Sequence, residues 1–117
     1  MPTVKEILKR KKEREVLLEV SLKDILRQIC ELGALKVYHF GSSARGEVDT
    51  HSDLDLLIVM PATKSGKEWM KLLYGTVEKK VASDMLVYNQ KEFERDLSSS
   101  RFLQNVIKGG KVVYEKI

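Results

Sequence analysis

Apolar residues at Val4, Ile7 and Leu8, then at Val16, Leu17, Val20, Leu22, Ile25, Leu26, Ile29 and Cys30, keep the three-and-four spacing of a helix. Thr3 stands where an N-cap belongs and Gly33 where a helix ends. The polar interval from Lys9 to Glu15 is compatible with one long helix exposed in its middle or with two helices. Beyond Gly33 the pattern changes. LKVYHF (35–40) is β-branched and aromatic and closes at Gly41, and DLDLLIVM (53–60) runs until Pro61 stops it. VASDMLVY (81–88) predicts a third strand. Ser43-Ala44-Arg45 predicts a single helical turn, and Trp69, Met70, Leu72 and Leu73 predict a helix whose apolar residues serve the core. Segments 91–97 and 101–108 predict two more helices, Gly109-Gly110 breaks the second, and KVVYEKI predicts a short edge strand. The fold class expected from the pattern is α/β, a small sheet with helices packed on it and a long N-terminal helix.

A chain of 117 residues supports one ordinary core, so a single domain over 1–117 is expected, with a helical segment at 1–33 and the core at 35–117. Hydrophobic residues at 43% and charged residues at 32% place it among globular rather than disordered chains. The longest apolar run, Leu56 to Met60, is far below the roughly 20 residues of a membrane helix. The N-terminus MPTVKEILKRKKERE has no apolar signal core, and a cytoplasmic location is expected. Cys30 is the only cysteine, which excludes an intramolecular disulfide and suits a small buried hydrophobe, and His39 and His51 alone do not furnish a zinc site. The formal charge of +4 is located in KRKKER (9–14). Glutamates interleave with this run, and Glu6 with Arg10 and Glu19 with Lys23 have the favourable i, i+4 order, so it reads as a solvated helix face, with nucleic acid not expected as a partner.

The chemistry concentrates in GSSARGEVDTHSDLD (41–55). On a strand, Asp53 and Asp55 face the same way, and carboxylates so close raise one another's pKa unless a cation or proton offsets the repulsion. Asp84 is embedded among apolar neighbours, where a carboxylate is costly without a partner. GSSARG has the outer spacing of a phosphate loop, but Glu47 and Val48 replace the required Lys and Ser or Thr. Residues 49–55 alternate oxygen ligands as a calcium loop does, yet His51 and the following LLIV run exclude that chemistry. Three aspartates and a glycine turn that offers N–H groups to an anion instead suit magnesium and in-line attack on a phosphate. The structural alternative is that Asp53 merely forms a turn.

Gly41-Ser42, ten residues, Asp53-Leu54-Asp55 and then Asp84 resemble the signature of the minimal nucleotidyltransferases of the DNA polymerase beta-like superfamily. The similarity runs from about Val37 to Tyr114 and implies a nucleotidyltransferase core with a mixed β-sheet. It implies that Gly41 lets the backbone approach a triphosphate, that Ser42 donates to a phosphate, and that Asp53, Asp55 and Asp84 are the catalytic carboxylates and ligands of two magnesium ions. Arg45 either contacts phosphate or pairs with Glu47. ATP is the implied substrate. The short chain resembles the antitoxin of HEPN and minimal nucleotidyltransferase toxin-antitoxin pairs, which implies transfer of AMP to a tyrosine of a HEPN toxin. The alternatives are an antitoxin that acts by occlusion through its N-terminal helix, or nucleotidyl transfer to a small molecule or an RNA end. The sequence leaves the oligomeric state open.

Overall fold

The computed structural model describes residues 1–47 and 53–117. Residues 48–52, which carry His51, much of the calcium-loop comparison and half of the spacer before Asp53, lie outside the described residues.

Helix α1 is continuous over Val4–Glu31, so the polar interval interrupts the apolar stripe and not the helix. The Thr3 hydroxyl oxygen accepts the Glu6 N–H at 3.2 Å, and Gly33, at φ 103°, turns the chain out of the helix. That left-handed conformation is open to glycine at no steric cost. Strand β1 (Lys36–Phe40) leads directly into the four-residue helix α2 (Gly41–Ala44). Then come β2 (Leu54–Met60), α3 (Gly66–Thr76), β3 (Ser83–Asn89), α4 (Gln90–Leu97), α5 (Arg101–Gly109) and β4 (Lys111–Glu115). Capping boxes start α3, from Ser65 and Glu68, and α4, from Asn89 and Glu92.

The four strands form one mixed sheet in the order β3-β2-β1-β4. β1 is antiparallel to both neighbours, and β2 and β3 are parallel with α3 between them in sequence, as a parallel crossover requires. Alternation along the strands gives the sheet two apolar faces. Val37, Leu54, Leu56, Ile58 and Met85 pack with Leu18, Ile25 and Ile29 of α1 and Trp69 and Leu73 of α3. Tyr38 and Leu57 pack on the other side with Leu103 and Val106 of α5, joined by Phe40, Leu86 and Phe93. With both faces covered, β2 is apolar at every position but Asp55.

Two polar ties fix the α1 layer. The Gln28 side-chain amide donates to the Glu78 carbonyl and accepts the Glu78 N–H, both at 2.8 Å. The Trp69 indole N–H donates to the Pro61 carbonyl at 2.8 Å, which ties α3 to the end of β2. The expected i, i+4 pairs on α1 give way to others: Arg27 with Asp24 and Glu31, and Lys12 with Glu15. Cys30 is half-buried rather than fully enclosed.

Burial begins at Leu18, so α1 splits into an outer half with Val4, Ile7 and Leu8 exposed and an inner half in the core. Ile58→Ala, at a fully buried position of β2, should cost about 2–5 kcal/mol in denaturant unfolding. Leu8→Ala should stay within about 0.5 kcal/mol of wild type in the same measurement.

Candidate active site

Phe40 is the register partner of Asp55 across the β1 and β2 pair, and Asp55 is in turn the partner of Asp84 across β2 and β3. Partners in register share a face, so Phe40, Asp55 and Asp84 form a row on the side of the sheet that carries α4 and α5. Adjacent strands lie roughly 4.8 Å apart, which makes the two carboxylates neighbours. Asp53 precedes the first residue of β2 and extends the row towards the loop.

The chain turns sharply after Phe40. Gly41 has φ 81°, and a Cβ built there would run into the Asp55 carboxylate oxygen Oδ2. Glycine is therefore required twice, once by the backbone and once by the side chain it packs against. The turn is pinned below by the Arg45 N–H to the Ser42 carbonyl at 3.1 Å and the Glu47 N–H to the same carbonyl at 3.0 Å. On the other face of β1, His39 Nε2 lies 2.8 Å from Ser43 Oγ and ties α2 to the sheet. Burial holds the His39 pKa below its usual value, with the nearby Lys111 charge acting in the same direction.

The three aspartates differ in environment. Asp55 is half-buried, and its pKa is raised by burial first and then by the charges of Asp84 and Asp53. Asp84 is exposed, at the second position of the edge strand β3, so the desolvation expected of it falls on Asp55 instead. Its strand is held there by Tyr74 of α3, whose hydroxyl accepts the Met85 N–H at 2.8 Å. Asp53 lies 3.8 Å from the guanidinium of Arg14 on α1. Arg45 pairs with Glu47 at 3.2 Å, and both side chains are largely exposed.

The nucleotidyltransferase domain family matches residues 22–109, three quarters of the chain, with the Gly41 turn and the three aspartates inside it. The protein belongs to that family. No curated protein matches the chain. Among solved structures, the fold is similar to that of a candidate nucleotidyltransferase from Sulfolobus solfataricus, with a TM-score of 0.65 and 21% identity over 92% of this chain and 88% of that one. At that identity the likeness speaks for the fold, the mixed sheet with its long N-terminal helix included.

Nucleotidyltransferase domains use a nucleoside triphosphate and a divalent metal. Among the described residues, no group of three or more His, Cys, Asp or Glu side chains is arranged to hold a metal ion. The chemistry of the donors nevertheless fits magnesium, which takes one or two carboxylates together with waters and substrate phosphates. Asp55 and Asp84 supply oxygen donors only, on adjacent strands, with the pKa of Asp55 raised by burial first and then by the neighbouring carboxylates, whose charge a cation would offset. A cleft of about 520 Å³ lined by Lys36, Phe93, Glu94 and Lys116 lies at the opposite end of the strands and contains none of the aspartates.

Two features of this nucleotidyltransferase escaped the sequence reading. Arg14 belongs to the KRKKER run that reads as a solvated face, yet only 20% of its side chain is exposed and it faces Asp53. The signal was present in the helical phase, because Arg14 continues the stripe Leu18, Ser21, Ile25 and Ile29 by one turn. The His39 contact to Ser43 had no signal, since it depends on where α2 leaves the sheet.

Gly41→Ala should lose more stability than Gly46→Ala in chemical unfolding, because both have positive φ while only Gly41 faces a carboxylate. Asp55→Asn should raise the melting temperature of the metal-free protein at pH 7. A carboxyl with a raised folded-state pKa binds its proton more tightly when folded, so its ionised form destabilises the fold at neutral pH. The gain should shrink as pH falls through that raised pKa towards the usual carboxylate range, checked by thermal melts across pH.

Proposed function

We propose that this nucleotidyltransferase moves AMP from ATP to a hydroxyl of a partner protein, with pyrophosphate released, and that it acts as an antitoxin by modifying a tyrosine of a HEPN toxin. The observation that carries the chemistry is the half-buried Asp55, faced by Asp84 in parallel register and packed against the Gly41 backbone. The partner class rests on the resemblance of the Gly41-Ser42 and Asp53-Leu54-Asp55 signature to the minimal nucleotidyltransferases.

In this reading Asp53, Asp55 and Asp84 would hold magnesium, and Asp53 would give up part of its contact with Arg14 to do so. Magnesium, when bound, offsets the clustered negative charge and stabilises the charge that develops on the phosphates. Gly41 leaves room for phosphate beside the backbone, and Ser42 offers its hydroxyl and N–H. Arg45 serves the phosphates by exchanging its Glu47 partner. The acceptor oxygen bonds to the α-phosphorus as the bond to the β-phosphate oxygen breaks. Asp84, exposed and next to Asp55, would take the acceptor's proton, a role that its access to solvent supports.

A second reading has its own observation. Val4, Ile7 and Leu8 expose an apolar stripe on the outer half of α1, a surface by which the chain would neutralise a toxin through occlusion alone.

Transfer of label from α-labelled ATP with magnesium to proteins of a host lysate tests both. A labelled band is expected with wild type and not with the double variant Asp53→Asn, Asp55→Asn. Toxin neutralisation that survives in a folded double variant would favour occlusion.

A further inference from the structure

Five cations stand in the KRKKER run, and four of them, Lys9, Arg10, Lys11 and Lys12, are exposed. Arg14 is not. Its helical phase carries it to the body side of α1, one turn before Leu18, where burial of the helix begins. There its guanidinium comes within 3.8 Å of Asp53 Oδ1, with 20% of the arginine side chain and 51% of the aspartate side chain exposed. α1 runs opposite to β2: Gly33, past the C-terminal end of the helix, lies against Pro61 at the end of β2, and Arg14 meets Asp53 just before that strand begins. The helix thus brings a cation to the aspartate that stands outside the strands.

The contact bears on the chemistry of the row. Asp53 and Asp55 carry like charges one residue apart, a cost that a nearby cation offsets. Arg14 supplies one positive charge to the loop end of the row with no metal needed. Magnesium takes carboxylate oxygens as ligands and brings two charges. A guanidinium near one oxygen of Asp53 and a dication on the same carboxylate repel each other, so the binding of one weakens the other. Arg14 also lies outside residues 22–109, so its contact is an addition to what the family match covers.

We propose that Arg14 is a positioning residue that holds Asp53 in place of magnesium and is displaced when the metal binds, so that the N-terminal helix sets how much magnesium the site requires. The proposal rests on the nucleotidyltransferase reading of the aspartates. Without metal, the Arg14 contact lowers the repulsion that the folded chain carries at Asp53. With metal, the same contact is a competitor.

Thermal melts of the full chain across a magnesium chloride series at low ionic strength test this, because a metal bound by the folded state raises the melting temperature as its concentration passes the dissociation constant. Arg14→Gln should bring that rise to about two- to fivefold lower magnesium, the range that a partly exposed ion pair supports. Arg14→Lys should restore most of the wild-type requirement. In an Asp53→Asn background, Arg14→Gln should leave the remaining dependence where it is. The Arg14 Nε–Hε resonance, assigned by its loss in Arg14→Lys, should move over the same magnesium range as the melts in wild type. An Arg14→Gln variant that is less stable at every magnesium concentration alike would mark the contact as a structural ion pair and overturn the proposal. One that needs more magnesium than wild type would mean that Arg14 orients Asp53 for the metal, and would overturn it as well. A wild type with no response to magnesium would overturn the metal reading of the aspartates, and this proposal with it.

Discussion

Asp55 can stand half-buried beside the backbone of Gly41 only because β1 and β2 are locked in one register, with Phe40 opposite Asp55. A slip of one residue would turn Asp55 to the α1 face, into the layer of Leu54, Leu56 and Ile58, where an ionised carboxyl has no solvent and no partner. The register is held by apolar residues on both sides of the same strands. Tyr38 with Leu57 faces α5, and Val37 with Ile58 faces α1, so neither face can slip without exposing the other. The site thus inherits its geometry from the core.

Asp55 and Asp84, neighbours across β2 and β3, differ in environment. One carboxyl is partly removed from water and raised in pKa, and the other sits on an edge strand open to solvent. The half-buried carboxylate is raised in pKa by burial and by the charges around it, and it packs against the Gly41 turn. Among the described residues, Arg14 near Asp53 and Arg45 near Glu47 come from peripheral elements and are already paired. The aspartate row is therefore compensated at its loop end and crowded at its centre.

Among the described residues the strands and helices lie within a few residues of the pattern read from the sequence, because both faces of the sheet are covered and β1, β2, β3, α3 and α5 each bury apolar residues against it. Gly33, Gly41 and the cap at Thr3 were local signals as well, set by positive φ or by free N–H groups rather than by distant contacts. Sequence left the Lys9 to Glu15 interval undecided, since a solvated stretch of helix and a break both lack apolar residues there. Arg14 follows its helical phase towards Asp53, although its charge and its basic neighbours suit the solvated face.

By itself, then, the sequence settled the elements, the glycine-serine turn and the strand positions of Asp55 and Asp84, since these depend on interactions between near neighbours in the chain. The tertiary structure alone decided that Asp55, and not Asp84, is the partly buried carboxyl, because burial depends on which strand is internal and which is the edge. It also decided that Arg14 meets Asp53 and that Phe102 and Asn105 flank the Gly41 turn. These residues are 39 or more positions from their counterparts, and no local preference encodes a contact made only when the sheet has closed its helices around it.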